Sequence, residues 1–214
     1  MYHKIAWWMV GKLHRWNPAL DDKDAQEICA YGIEITLSTI MNFVLLLAIG
    51  AFTHTLIPAV LFGMIFAVIR LYIGGYHCTS YWRCNLTFCG IYLLVILLGK
   101  LLTPYCGIDH EILILIWCGL GIWWLGPVEN SHKPTTEAQR KRCHTIAKGI
   151  FFADCAIAIG CYLMEPFHGV VAALTLLSVV ALLPIGTLSE RRRRYEAEKQ
   201  AGTEPDCLCN KHCS

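Results

Sequence analysis

A histidine and a cysteine, His77 and Cys84, stand seven residues apart in RLYIGGYHCTSYWRC, residues 70–84, where a Gly-Gly pair separates one apolar segment from the next. A thiol becomes a strong nucleophile only as the thiolate, and a nearby imidazole can take its proton and later pass it to a leaving amine. The pair therefore reads as a candidate thiol peptidase dyad, with Cys84 as nucleophile and His77 as general base. On one straight helix, seven residues would leave the side chains on one face but about 10 Å apart along the axis. Proton transfer needs about 2.6–3.2 Å. The segment is accordingly expected to fold back as a re-entrant catalytic loop, with Gly74 and Gly75 ending one span and Cys84 opening the next, where a helix N-terminus also helps hold a thiolate. Cys78 is the rival nucleophile, although neighbouring side chains in extended backbone point to opposite faces, so its adjacency to His77 is no advantage.

The elements that must hold this pair are membrane helices. The chain has 214 residues, 56% hydrophobic and 16% charged, and its mean hydropathy is +0.48. That composition excludes an ordinary soluble domain. Residues 4–16 place Ile5, Trp8, Met9, Leu13 and Trp16 on one side of a helix, as in an amphipathic helix lying in the headgroup region and ended by Asn17-Pro18. Lys12, His14 and Arg15 interrupt its apolar run, so no cleaved targeting segment is expected. Asp21, Asp22 and Asp24 suit the first turn of a new helix. Apolar stretches follow at 32–52, 55–73, 85–102, 112–127, 149–164 and 168–188, each near the ~20 residues that cross ~30 Å of hydrocarbon, the fourth and fifth being short.

The fold class expected is thus all-α: a polytopic membrane protein of about six spans in 32–188, preceded by the amphipathic helix of 1–18. Residues 1–190 form the membrane domain and 191–214 a polar tail. With both termini cytoplasmic, every Lys and Arg except Lys100 falls on the inner side, from Lys4, Lys12, Arg15 and Lys23 to the run Arg191–Arg194. That orientation puts the 70–84 segment at the cytoplasmic face.

Around the pair, Arg70 and Arg83 either snorkel to the interface or, for Arg70, hold a substrate carboxylate or a developing oxyanion. Glu34 is a carboxylate near the end of the first span, costly without a partner. It can orient the imidazole of His77, pair with Arg70 or reach the headgroups. Asp154 poses the same question, with Lys148 as a partner within reach. Residues 126–148 are basic and turn-rich, read either as a solvated loop drawn to anionic lipid or as a dock for an acidic peptide. Nine of the twelve cysteines lie in or beside apolar stretches without paired spacing and read as small buried hydrophobes. The tail residues Cys207, Cys209, His212 and Cys213 lack standard zinc spacing. No metal, cofactor or nucleic-acid partner is expected.

Arg70, Gly74-Gly75, His77 and Cys84, together with Pro127, Asn130 and Lys133-Pro134 followed by basic residues, resemble the accessory gene regulator B family, AgrB-like membrane endopeptidases of Gram-positive quorum sensing. The likeness runs from the amphipathic start to Leu183-Pro184 and leaves out the cysteine-bearing tail. It implies that Cys84 and His77 cleave the C-terminal part from an AgrD-like propeptide through a thioester, that a thiolactone or lactone autoinducing peptide results, and that the enzyme works as a homodimer in the cell membrane. Gly75 and Lys133 join Arg70 and Glu34 as supporting positions on this resemblance. The competing reading is a transporter of a small solute or peptide, lined by Glu34, Asp154 and Arg70, with Cys84 structural. A thiol oxidoreductase would require a Cys-x-x-Cys and a zinc peptidase a His-Glu-x-x-His, and the sequence contains neither.

Overall fold

A computed structural model describes residues 2–15, 22–73, 81–125 and 137–201. The described residues form seven helices and no strand: α1 (Tyr2–His14), α2 (Lys23–Phe52), α3 (Leu56–Ile73), α4 (Tyr81–Leu102), α5 (Ile108–Leu125), α6 (Glu137–Met164) and α7 (Pro166–Ala201). Six of them, α2 to α7, contain a stretch long and apolar enough to cross a bilayer. The protein is an all-helical, polytopic membrane protein. At 1.5 Å per residue the 30 residues of α2 extend about 45 Å, so its ends outrun the hydrocarbon.

Two compact units divide the chain: Met1–Gly63 with Cys78–Leu98, and Met64–His77 with Gly99–Ser214. In the first, α2 opens where the acidic run places a first turn: Asp24 lies in that turn, and Asp22 caps it, its side chain accepting from the Asp24 backbone N–H. The buried positions of α2 are Ala30, Glu34, Ser38, Leu46 and Gly50, all separated by multiples of four. Four residues turn a helix through 400°, so such a stripe winds about 40° further round the axis at each step. It meets different partners in turn. Ala30 packs with Ala6 and Val10 of α1, Ser38 bonds to Asn85 of α4, and Gly50 meets Ala59 of α3, where an added Cβ would lie 2.7 Å from the alanine Cβ.

The α2–α3 turn is tight because His54 takes a left-handed φ of 55° and the Thr55 N–H returns to the Gly50 carbonyl at 2.7 Å. Thr55 also bonds through its hydroxyl to the Tyr92 hydroxyl at 2.7 Å, which fastens this turn to α4.

In the second unit α5, α6 and α7 pack together, α7 carrying an almost continuous buried run from Val170 to Leu176. Small residues allow this: a Cβ on Gly121 would collide with Val180, and one on Gly169 with Tyr162. The Tyr162 hydroxyl donates to the Cys106 carbonyl at 2.8 Å, holding the 103–107 connection.

Three expectations are revised. Residues read as a loop to 148 become helix from Glu137, since Glu137–Lys148 holds no proline or glycine and its hydrophilic character reports solvation rather than irregular backbone. The fourth span begins at Ile108 rather than 112, because Asp109 and Glu111 occupy a first helical turn, where acids are favoured. Lys148 does not reach Asp154; its ammonium lies 3.6 Å from the centre of the Trp123 ring.

Candidate active site

Cys84 sits in the first turn of α4, half-buried. The leading N–H groups of a helix have no partner inside it, and those of Tyr81 to Arg83, just ahead of Cys84, hold that place in α4. Together with the helix dipole they make this turn favourable to negative charge. Helical spacing then sets which neighbours face inward. Asn85, Phe88, Tyr92 and Val95 are buried, while Trp82 and Leu86 are exposed, so Cys84 stands at the shoulder of the packed face. Phe88 and Tyr92 lean on Phe62 at ring separations of 5.3 and 5.2 Å. The Arg83 guanidinium lies over the Trp82 ring at 5.7 Å.

Two polar contacts of this unit were not anticipated from the sequence. The Ser38 hydroxyl donates to Asn85 Oδ1 at 3.2 Å, with both residues buried. One turn away on α2, Glu34 Oε1 accepts from His3 Nδ1 at 2.8 Å, and the Glu34 side chain is only 11% exposed. The costly carboxylate of the first span is thus met by the interfacial helix. The sequence carried one signal for this strip: Glu34, Ser38 and Asn42 repeat every four residues through an otherwise apolar stretch. His3 and Asn85 gave none, being 31 and 47 residues from their partners.

Arg70 lies in the last turn of α3, its guanidinium 5.3 Å from the centre of the Phe66 ring. His77, Gly75, Cys78 and Lys133, the expected re-entrant turn and the four tail residues that could bind metal lie outside the described residues. Among the described residues no three His, Cys, Asp or Glu side chains gather as metal ligands. At the α4–α5 connection, burial pushes the Cys106 thiol up from its ordinary value, helped by the negative charges of Glu111 and Asp109.

Compared with known families, residues 6–185 match the model of accessory gene regulator B. The chain belongs to the accessory gene regulator B family. The match begins in α1, takes in α2 to α6 and ends in α7 just past Pro184, so Cys84, Arg70 and Glu34 all fall inside it. No curated protein and no solved structure matches the chain. As an accessory gene regulator B protein it is a multi-pass membrane protein that takes part in processing the AgrD propeptide of agr quorum sensing.

Proposed function

We propose that this accessory gene regulator B protein is a cysteine endopeptidase that removes the C-terminal part of an AgrD-like propeptide. The observation that carries the reading is the half-buried thiol of Cys84 in the first turn of α4, inside the family-matched region. The Cys84 proton passes to His77, and Sγ adds to the scissile carbonyl carbon. As the C–N bond breaks, the amine of the departing segment takes that proton, leaving an acyl-enzyme thioester. A cysteine of the same propeptide then attacks the thioester. Its proton returns through His77 to Cys84, a thiolactone closes and the enzyme thiol is regenerated; a propeptide serine gives a lactone instead. Exchange of one thioester for another is nearly balanced in energy, so keeping water from the intermediate matters as much as activating the thiol.

Arg70 and Lys133 are assigned to substrate carboxylates, Gly75 to the turn that brings His77 back to Cys84, and Glu34 to the support of this region. Residues 1–190 act as the membrane peptidase domain, working as a homodimer in the cell membrane with both termini cytoplasmic, and 191–214 as the cytoplasmic tail. A second reading, transport of a small solute or peptide, draws on the acids Glu111 and Asp154, buried within membrane helices and with carboxylate oxygens lacking a hydrogen-bond partner.

The test is co-expression with an AgrD-like propeptide followed by mass spectrometry of the peptide products. Cys84→Ser and His77→Ala should abolish the C-terminal fragment, Cys78→Ser should leave it, and wild type should carry an acyl adduct on Cys84. Normal cleavage by Cys84→Ser would refute the Cys84–His77 dyad and bring Cys78 or transport forward.

A further inference from the structure

We infer that Asn85, held by Ser38, is a positioning residue that fixes the angle at which α4 presents Cys84. This rests on Cys84 as the reacting thiol. Three hydroxyls stand close together on α2, and two are spent on their own helix: Thr36 donates to the Gly32 carbonyl and Thr39 to the Ile35 carbonyl, both at 2.9 Å. Ser38 could bond to the carbonyl four residues back in the same way. Instead its hydroxyl crosses to α4 and donates to Asn85 Oδ1 at 3.2 Å.

The residue it grips immediately follows Cys84. The apolar anchors of α4 begin one turn later, at Phe88, and continue at Tyr92. Tilted aromatic rings and aliphatic surfaces resist separation, but they do not sharply define a rotation about the helix axis. A hydrogen bond does, because it weakens steeply as donor and acceptor fall out of line. Side chains reach about 5–6 Å from a helix axis, so a 20° turn of α4 would carry the Cys84 sulfur about 2 Å. Misplacement of a reacting group by 1 Å can cost on the order of 10²-fold in rate.

The other end of the clamp is itself braced. Glu34 lies one turn before Ser38 on the same winding stripe and receives the His3 bond from α1, while Ala6 and Val10 of α1 pack on Ala30 another turn back. A continuous set of contacts therefore runs from the interfacial helix, along α2, to the residue beside the thiol. Each lies within the first unit.

The experiment uses the full-length chain in proteoliposomes, with Ser38→Ala, Ser38→Thr and Asn85→Ala compared with wild type. A synthetic AgrD-like propeptide gives kcat and KM, and iodoacetamide, with peptide mapping at Cys84, gives the pH profile of thiol alkylation. We expect Ser38→Ala to lower kcat about tenfold with KM within about twofold, to shift the Cys84 alkylation profile, and to lower the unfolding temperature only modestly, leaving the chain folded at the assay temperature. Ser38→Thr, which keeps the hydroxyl, should recover most of kcat. Unchanged kcat and an unchanged alkylation profile in Ser38→Ala would overturn the inference. So would equal losses in the Ala and Thr variants that merely follow loss of folded protein. Cleavage that persists in Cys84→Ser would refute Cys84 as the reacting thiol and with it the catalytic purpose of the clamp, whereas the alkylation profile reports separately whether Ser38 sets the position of that thiol.

Discussion

The two units handle their buried acids in opposite ways. In the first, Glu34 is bonded to His3, Ser38 to Asn85, and Tyr92 to Thr55, and each bond joins two different elements; among its described residues only the side-chain Oδ1 of Asn42 is buried without a partner. The second is built on close helix approach at Gly121 and Gly169 and on the small buried residues Ala147, Ala158, Ala172 and Ala173. Its acids Glu111 and Asp154 are buried at 0% and 5% exposure, and both oxygens of Glu111 and Oδ2 of Asp154 lack a hydrogen-bond partner. Polar bonds specify geometry where the candidate nucleophile must be aimed. Where helices only need to stay together, small residues suffice, because without water between helices packing supplies the attraction.

If this contrast is sound, the largest effect belongs to backbone proximity in the second unit. Gly169→Val should destabilise by about 3 kcal/mol, since its Cβ would strike both the side chain and the backbone of Tyr162. Thermal unfolding in detergent measures it, and a neutral result would show that α6 and α7 can separate there. In the first unit Tyr92→Phe should cost about 1–2 kcal/mol, because the two bonds of the Tyr92 hydroxyl to the Thr55 hydroxyl and carbonyl are lost, while Thr53 still partners the Thr55 hydroxyl. A cost near zero would mean that these polar bonds do not specify the packing.

The acids give the sharpest test. Glu111→Leu should stabilise by roughly 1–2 kcal/mol, by removing a buried polar group that has no hydrogen bond, and should leave propeptide cleavage intact. Glu34→Leu should instead destabilise by up to about 1 kcal/mol, a modest cost because His3 is largely exposed. Loss of cleavage in a well-folded Glu111→Leu would give this buried acid a part in the reaction and erase the distinction. The smallest effect is at Cys106. A thiol whose pKa is raised holds less thiolate at neutral pH, so its alkylation should be slower than that of a free thiol, and Asp109→Asn, by removing one of the negative charges responsible, should quicken it by less than about threefold.

Much of the architecture was legible because hydropathy is a local property. The span from Gly32 to Phe52 lies within α2, the end of the second near Ile73 matches α3, and the Asp21–Asp24 cluster marks the start of α2. Legibility failed where charge was taken for irregular structure, as at Asp109 and Glu111 in α5 and at Glu137–Lys148 in α6. The last helix also runs without a break through Arg191–Arg194 to Ala201, where composition gave only a polar tail. Of the candidate site, the neighbours of Cys84 are what singled it out in the sequence. Glu34 was recognisable as a carboxylate in need of a partner, but that partner was not.

The sequence by itself determined that this is a six-span helical membrane protein, because burying unpaired backbone in hydrocarbon leaves long apolar segments hardly any alternative to helix. It also determined the family, whose model matches residues 6–185. Only the tertiary structure decided that His3 answers Glu34, that Ser38 reaches Asn85 beside Cys84, and that Lys148 turns to Trp123 instead of Asp154. A side chain's partner depends on how helices rotate and cross, and most of these partners lie tens of residues apart, where the local periodicity of the sequence does not reach.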